Sequence, residues 1–235
     1  MRPRAVASPP PSCSSPSAPA GAASGAAPPL PERMADTGGG SQLITAEAPR
    51  ATATTGTLTW WDRRDGRWVA AGSAPARFGV NGLTEGASRT QGTRTTPTGL
   101  YGLPYAFGIA PKPDGVRYPY RRVTKESWWC QDNGSGAYNR WSEPRAADCR
   151  ATEAEHLITY GTQYAHALVT DFNYASPVRG RGAGIFLHVD GEGPTAGCVS
   201  LPAEAMRAIL RWAGPGPRAA PRDRDGVGAD ALTRY

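Results

Sequence analysis

The sequence predicts a mainly β domain: a sandwich-like or barrel-like core with one short C-terminal helix packed on it. Three observations carry that prediction. Gly (29) and Pro (23) are abundant, which favours turns and short strands over long helices. The apolar residues either alternate with period two or form short continuous runs bounded by turn formers, as strands do. The segment after Pro202 carries the most convincing apolar face at helical spacing, and the first half of "AEHLITYGTQYAHALVTDFN" reads as a short helix or turn at most.

Residues 1–40 are dominated by Ala, Pro, Ser and Gly and lack the apolar mass to offset ordering entropy, so they read as a disordered spacer. They contain no apolar run of the length a secretory signal needs. Cys13 would be a lipid-anchored cysteine if translation started upstream, and otherwise a free thiol in a solvated tail. The folded domain is expected over 42–213. "SQLITA" and "GTLTWWDRRDGRWVAAG" read as strands, the latter turning at Asp65-Gly66, a strong hairpin signal. "ARFGVNGL" places a second turn at Asn81-Gly82, and "QGTRTTPTGLYGL" leads into another strand. Residues 42–110 thus read as a β meander.

Residues 111–150 are irregular and rich in Trp and Tyr, which must pack on the core or line a cleft. "AHALVTDF" reads as a strand and "GAGIFLHV" as a buried one. In the helix after Pro202, Ala205, Met206, Ile209, Leu210 and Ala213 share one face, with Arg207 and Arg211 off it. Gly214 and Pro215 stop it. Residues 214–235 read as a polar tail.

The net charge is +6 and the pI about 9.4. Of the 26 Lys and Arg, only Lys112 and Lys125 are lysine. The arginines are scattered and have no stripe of base-stacking aromatics beside them, which sets nucleic-acid binding aside. No apolar stretch approaches the roughly 18 residues of a transmembrane helix. His and Cys are not spaced as metal ligands are, so no zinc site is expected. Four cysteines allow three pairings. The preferred one joins Cys130 to Cys149 across a single loop, with a stabilisation of about 3 kcal/mol, and leaves Cys198 free.

The chemistry concentrates in "GIFLHVDGEGPTAGCVSLP". His188 ends an apolar strand, a small-residue turn follows, and Cys198 precedes the helix. Strand end, turn and helix start can bring an imidazole to a thiol, with Cys198 as nucleophile and His188 as general base. The backbone N–H groups of Ala196, Gly197 and Cys198 could then hold an oxyanion. The plainer alternative is a small buried hydrophobe and a structural histidine. Other polar candidates are Thr195, Ser200, Tyr138, Asn139, Trp141 and His156. Each also has a packing or capping explanation. His166 reads as structural.

These segments resemble the L,D-transpeptidase catalytic domain. Thr195-Ala196-Gly197-Cys198 is similar to the family's Ser/Thr-x-Gly-Cys element, with a strand histidine upstream at His188. "TTPTGLYGL" resembles its Thr-Pro-x-Gly segment. "YNRW", "AEHL" and "ESWWCQDNGSG" are similar to a subgroup of secreted actinobacterial proteins. The resemblance spans roughly residues 42–213. It departs at Ala196, where many members have His, and at Ser200, where many have Arg. Arg117, Arg121 or Arg122 could supply the missing cation.

The resemblance implies acyl transfer between peptidoglycan stem peptides, donor and acceptor, giving 3→3 cross-links outside the cytoplasm, in a secreted or lipid-anchored protein. Cys198 would form the acyl-enzyme and His188 would move the proton, and the resemblance implies no metal or organic cofactor. A hydrolase acting on the same peptides (an L,D-carboxypeptidase-like outcome) and a catalytically silent peptidoglycan-binding module are the alternatives.

Overall fold

The computed structural model describes residues 28–214 and the backbone of 230–234. Fourteen strands fall in two sheets among these residues. They are β1 (Gln42–Glu47), β2 (Thr55–Arg64), β3 (Arg67–Arg77), β4 (Leu83–Glu85), β5 (Thr96–Gly102), β6 (Ala106–Gly108) and β7 (Tyr120–Arg122), then β8 (Trp128–Cys130), β9 (Arg140–Ser142), β10 (Ala154–His156), β11 (Ala167–Val169), β12 (Phe186–Val189), β13 (Val199–Leu201) and β14 (Asp230–Arg234). The eleven-stranded sheet runs β4-β5-β14-β1-β2-β3-β13-β12-β11-β6-β7, and the smaller sheet β10-β8-β9. The chain is mainly β with one C-terminal α-helix, as the composition predicts.

The expected hairpin forms at Asp65-Gly66, both with positive φ (49° and 79°), and β2 pairs with β3 along its length. The meander stops there. β4 and β5 lie at the far edge, joined to β1 through β14, and it is β13 that pairs beside β3. The turn at Asn81-Gly82 closes as expected, with Gly82 N–H donating to the Gly79 carbonyl (2.8 Å). But Gly82 lies so close to the chain at Ala51 that a Cβ would sit 2.1 Å from the Ala51 carbonyl oxygen. That contact sends the chain away from β3.

The tails hold more structure than their composition predicts. Leu30–Arg33 form a 3₁₀ turn with Leu30 buried, and the Trp68 N–H reaches Glu32 Oε1 (3.4 Å). One buried leucine and one carboxylate anchor this piece of an otherwise polar segment. Residues 1–27, with Cys13, lie outside the described residues. At the other end the backbone of 230–234 is a strand between β1 and β5, not a polar tail. All five residues pair with β1 and four of them also with β5, which outweighs weak local propensity.

Helix α1 (Ala203–Trp212) starts directly after Pro202, and Met206, Ile209, Leu210 and Ala213 are buried as their spacing predicts. The period of two in β12 and β13 then divides two cores. Leu187, Val189, Val199 and Leu201 pack with α1. Phe186, Ala167, Val169, Phe107 and Cys198 pack with Trp129, Leu157 and Tyr164 on the opposite face. The working residues lie in this second core, between the two sheets.

Candidate active site

β12 and β13 pair in parallel, with Leu187 opposite Val199, His188 opposite Ser200 and Val189 opposite Leu201. Residues opposite one another share a face, as do residues two apart on one strand. His188 and Ser200 therefore face the same side. Continuing the register back by one residue puts Cys198 beside Phe186, on that same side. The register is sealed by a contact: Phe186 N–H donates to Cys198 Sγ (3.3 Å), and Sγ–H donates to the Gly184 carbonyl (3.3 Å). His188 and Cys198 are thus diagonal neighbours on one sheet face. On the other flank His188 stands opposite Ala167, whose methyl group leaves room for the ring.

The bond to Sγ is not from His188. Its Nδ1 lies 2.8 Å from the Val189 carbonyl oxygen. A carbonyl can only accept, so Nδ1 carries the proton and Nε2 holds the free lone pair. Among the described residues the one sealed side-chain nitrogen or oxygen without a partner is His166 Nδ1. His188 Nε2, also without a partner there, is therefore not fully sealed. Burial pushes the His188 pKa down, against the Val189 bond and Asp190, so the ring is neutral at neutral pH. Burial, with help from the Glu155 charge, pushes the Cys198 thiol up to about 12, while Phe186 N–H and Arg89 pull the other way. The resting pair is a thiol and a neutral imidazole. Such a pair attacks with deprotonation during the step and needs no preformed ion pair.

The turn before Cys198 is held by Thr195. Its Oγ1 donates to the Cys198 carbonyl (2.7 Å) and accepts the Gly197 N–H (3.0 Å). The Gly197 N–H is therefore engaged, while those of Ala196 and Cys198 have no protein partner among the described residues. Gly197 has φ 141° and Gly182 φ 116°. Both press on Arg89: a Cβ on Gly197 would sit 2.9 Å from Nη2, and one on Gly182 1.8 Å from Nη1.

Among the described residues, Arg89 is the cation whose charge acts on Cys198. It is 5% exposed and donates to the carbonyls of Thr95 (2.9 Å) and Arg181 (3.2 Å). Its charge and that of Cys198 act on each other. Sequence reasoning missed it among so many arginines, and pointed to Arg117, Arg121 and Arg122 instead. Arg121 stacks on Trp141 (4.3 Å) and pairs with Glu143 (3.0 Å). Arg122 is exposed, and Arg117 lies near Gly214 at the end of α1. Ser200, at the other departure from the common pattern, donates to Asp190 Oδ1 (2.7 Å), and Arg77 lies opposite it on β3.

The small sheet closes the site. Its register aligns Glu155, Trp129 and Trp141 on one face, with His156, Trp128 and Ser142 on the other. The first face meets the large sheet: Trp129 packs edge-on against Phe186 (4.8 Å) and Trp141 against Phe107 (5.6 Å). His156 points away, stacked on Trp128 (4.1 Å) with Nε2 at the Lys125 carbonyl. Its neighbour Glu155 is on the site face instead, accepting from Gln131 Nε2 and Tyr164 Oη, each at 2.7 Å. Strand alternation allows only one of the two to face inward, and the quoted "AEHL" held that signal. Asn139 is buried, and its Oδ1 accepts from Trp129 Nε1 (3.0 Å) and Gly184 N–H (2.9 Å). It thereby fixes the residue whose carbonyl meets Sγ. Tyr138 is buried too, between Gln91 and Gly182. Both act as scaffold, while part-exposed Trp141 walls the cleft. Cys130 and Cys149 are bonded to each other, and Cys198 is free.

The family model of the L,D-transpeptidase catalytic domain (YkuD) matches residues 51–220. The chain belongs to that family. Among solved structures it is similar to Bd1075 of Bdellovibrio bacteriovorus (16% identity, TM-score 0.38, 82% of this chain and 47% of that one). It is also similar to L,D-transpeptidase 1 of Mycobacterium tuberculosis (14% identity, TM-score 0.31, 83% and 62%). It thus spans about half of the first and under two thirds of the second. No curated protein sequence matches it. Among the described residues no helix is long and apolar enough to cross a membrane, and no three His, Cys, Asp or Glu gather as metal ligands do.

Proposed function

We propose that this chain is a cysteine L,D-transpeptidase that forms 3→3 cross-links between peptidoglycan stem peptides outside the cytoplasm. The observation that carries the reading is the β12–β13 register. It sets Cys198 and His188 diagonally on one face and leaves His188 Nε2 as the unprotonated nitrogen.

Cys198 Sγ attacks the carbonyl carbon of the third residue of a donor tetrapeptide as His188 Nε2 takes the thiol proton. The backbone N–H groups of Ala196 and Cys198 face the developing oxyanion, with that of Gly197 released from Thr195 or left in place. The tetrahedral intermediate collapses, the bond to the terminal D-alanine breaks, and His188 returns the proton to the leaving amine. The thioester on Cys198 is then attacked by the side-chain amine of a diaminopimelate in a second stem. A new amide forms, the C–S bond breaks, and His188 passes a proton from the amine to sulfur. Trp141 offers the cleft an aromatic wall. The Cys130–Cys149 bond suits an oxidising compartment.

Incubation with disaccharide-tetrapeptides tests the reading. Cross-linked dimers that vanish in Cys198→Ala support it. Tripeptide monomers alone assign hydrolysis instead, and an unchanged substrate with the protein folded overturns it.

A further inference from the structure

We propose that Glu155 is the ammonium-binding residue of this site, taking the primary ammonium of the acceptor and holding it beside Cys198. The inference deepens the transpeptidase reading and rests on it.

Glu155 sits on the face of β10 that meets the large sheet, in register with Trp129. Its carboxylate is held by two neutral donors, Gln131 Nε2 on one oxygen and Tyr164 Oη on the other. Each oxygen keeps a second lone pair. No Lys, Arg or His pairs with it among the described residues, and the residue as a whole is half-buried. The same two donors tie it to both reacting groups. The Tyr164 ring meets the His188 ring edge-on at 5.7 Å. Gln131 Nε2 lies 3.0 Å from where a Cβ on Gly184 would sit, and the Gly184 carbonyl accepts from Cys198 Sγ.

An uncompensated carboxylate in this place works against its own neighbour. Its charge raises the thiol, and burial raises the carboxyl in turn, against Tyr164 and Gln131. The other titratable groups facing it are the phenols of Tyr160 and Tyr164, themselves raised by burial; beyond Sγ stands Arg89. None supplies a cation to Glu155. A buried carboxylate held only by neutral donors lacks a counter-charge, and a ligand cation would complete it. A primary ammonium has three donors and one charge, matching the free lone pairs. By linkage, an ammonium bound there also favours the Cys198 thiolate.

The test uses the full chain and a probe that needs no turnover. Cys198 is alkylated with iodoacetamide at pH 8 and read by peptide mass spectrometry, so that Cys13 is counted apart. The rate is measured alone, with Nα-acetyl-lysine methylamide, and with the same compound acetylated on Nε. The ammonium compound should speed alkylation of the wild type at least twofold, and the neutral one should not. Glu155→Gln should be faster without any probe, by about threefold, since losing the charge that raises the thiol frees thiolate, partly offset by its lower nucleophilicity. The variant should no longer respond to the ammonium. A wild type indifferent to the ammonium, or a variant that responds as the wild type does, overturns the proposal; the first comparison needs no variant to fold. Acyl-enzyme formation from a tetrapeptide, which needs no acceptor, is scored separately. If it fails, the transpeptidase reading falls while the alkylation result still decides Glu155.

Discussion

Gly197→Ala probes the turn that presents the nucleophile. At φ 141° an L-residue is strained, which costs about 1–3 kcal/mol. The added methyl would meet Arg89 Nη2 at 2.9 Å, the Thr95 carbonyl oxygen at 3.0 Å and Ile185 Cδ1 at 3.3 Å. Arg89 has little freedom to retreat, since it also donates to Thr95 and Arg181. Overpacking of this kind adds about 1–3 kcal/mol. The sum is about 2–6 kcal/mol, a fall in Tm on the order of 5–20 °C for a domain of this size. Thermal unfolding by circular dichroism measures it, with Ala196→Gly as a control that adds no atoms. The shift of Arg89 away from Cys198 should also slow alkylation of the thiol. A variant that melts within about 1 °C of the wild type, with unchanged alkylation, would refute the packing of Gly197 on Arg89.

Arg89→Met should slow acylation of Cys198, because it removes the cation that favours its thiolate among the described residues, and Arg89→Lys should restore part of the rate; equal rates in all three would contradict that role. The His188 pKa is depressed in the folded state, so the unfolded chain binds more protons as the pH falls through the ordinary histidine range. Tm should therefore drop on acidification below about pH 6.5, less so in His188→Gln. The Cys198 thiol is raised to about 12, so the unfolded chain loses its proton first as the pH climbs past the ordinary thiol value, and stability falls. Cys198→Ala should flatten that alkaline loss in a pH series of melts. Replacing Cys130 and Cys149 together by Ser should cost about 2–5 kcal/mol by denaturant titration. No loss would mean the loop is held by its hydrogen bonds alone.

Local signals were easy to read in this chain, and long-range ones were not. Asp65-Gly66, the helical face of Met206, Ile209 and Leu210, and the continuous apolar run ending at His188 each announce an element through a few neighbouring residues. The position of β14 depends on pairing with strands over a hundred residues away, so a short polar segment gives no sign of it. The same holds in the site. Cys198 and His188 stand out because the chain has few residues of either type. Arg89 is one arginine among many, and only the close approach of Gly182 and Gly197 marks it. Glu155 was overshadowed by the histidine beside it. The sequence shows both residues, but the side each faces is set by the pairing of β10 with β8. Thr195 and Ser200 read as substrate contacts because they flank the nucleophile; their hydroxyls are bonded to the Cys198 carbonyl and to Asp190.

The central claim is that Cys198 forms an acyl bond with the third residue of a stem peptide. Intact-protein mass spectrometry after brief mixing with a tetrapeptide donor, followed by peptide mapping, measures this directly. The account predicts an added mass equal to the tetrapeptide less one D-alanine, located on Cys198 and absent from Cys198→Ala. A folded protein that stays unmodified, or that carries the adduct on Cys13 alone, would contradict it.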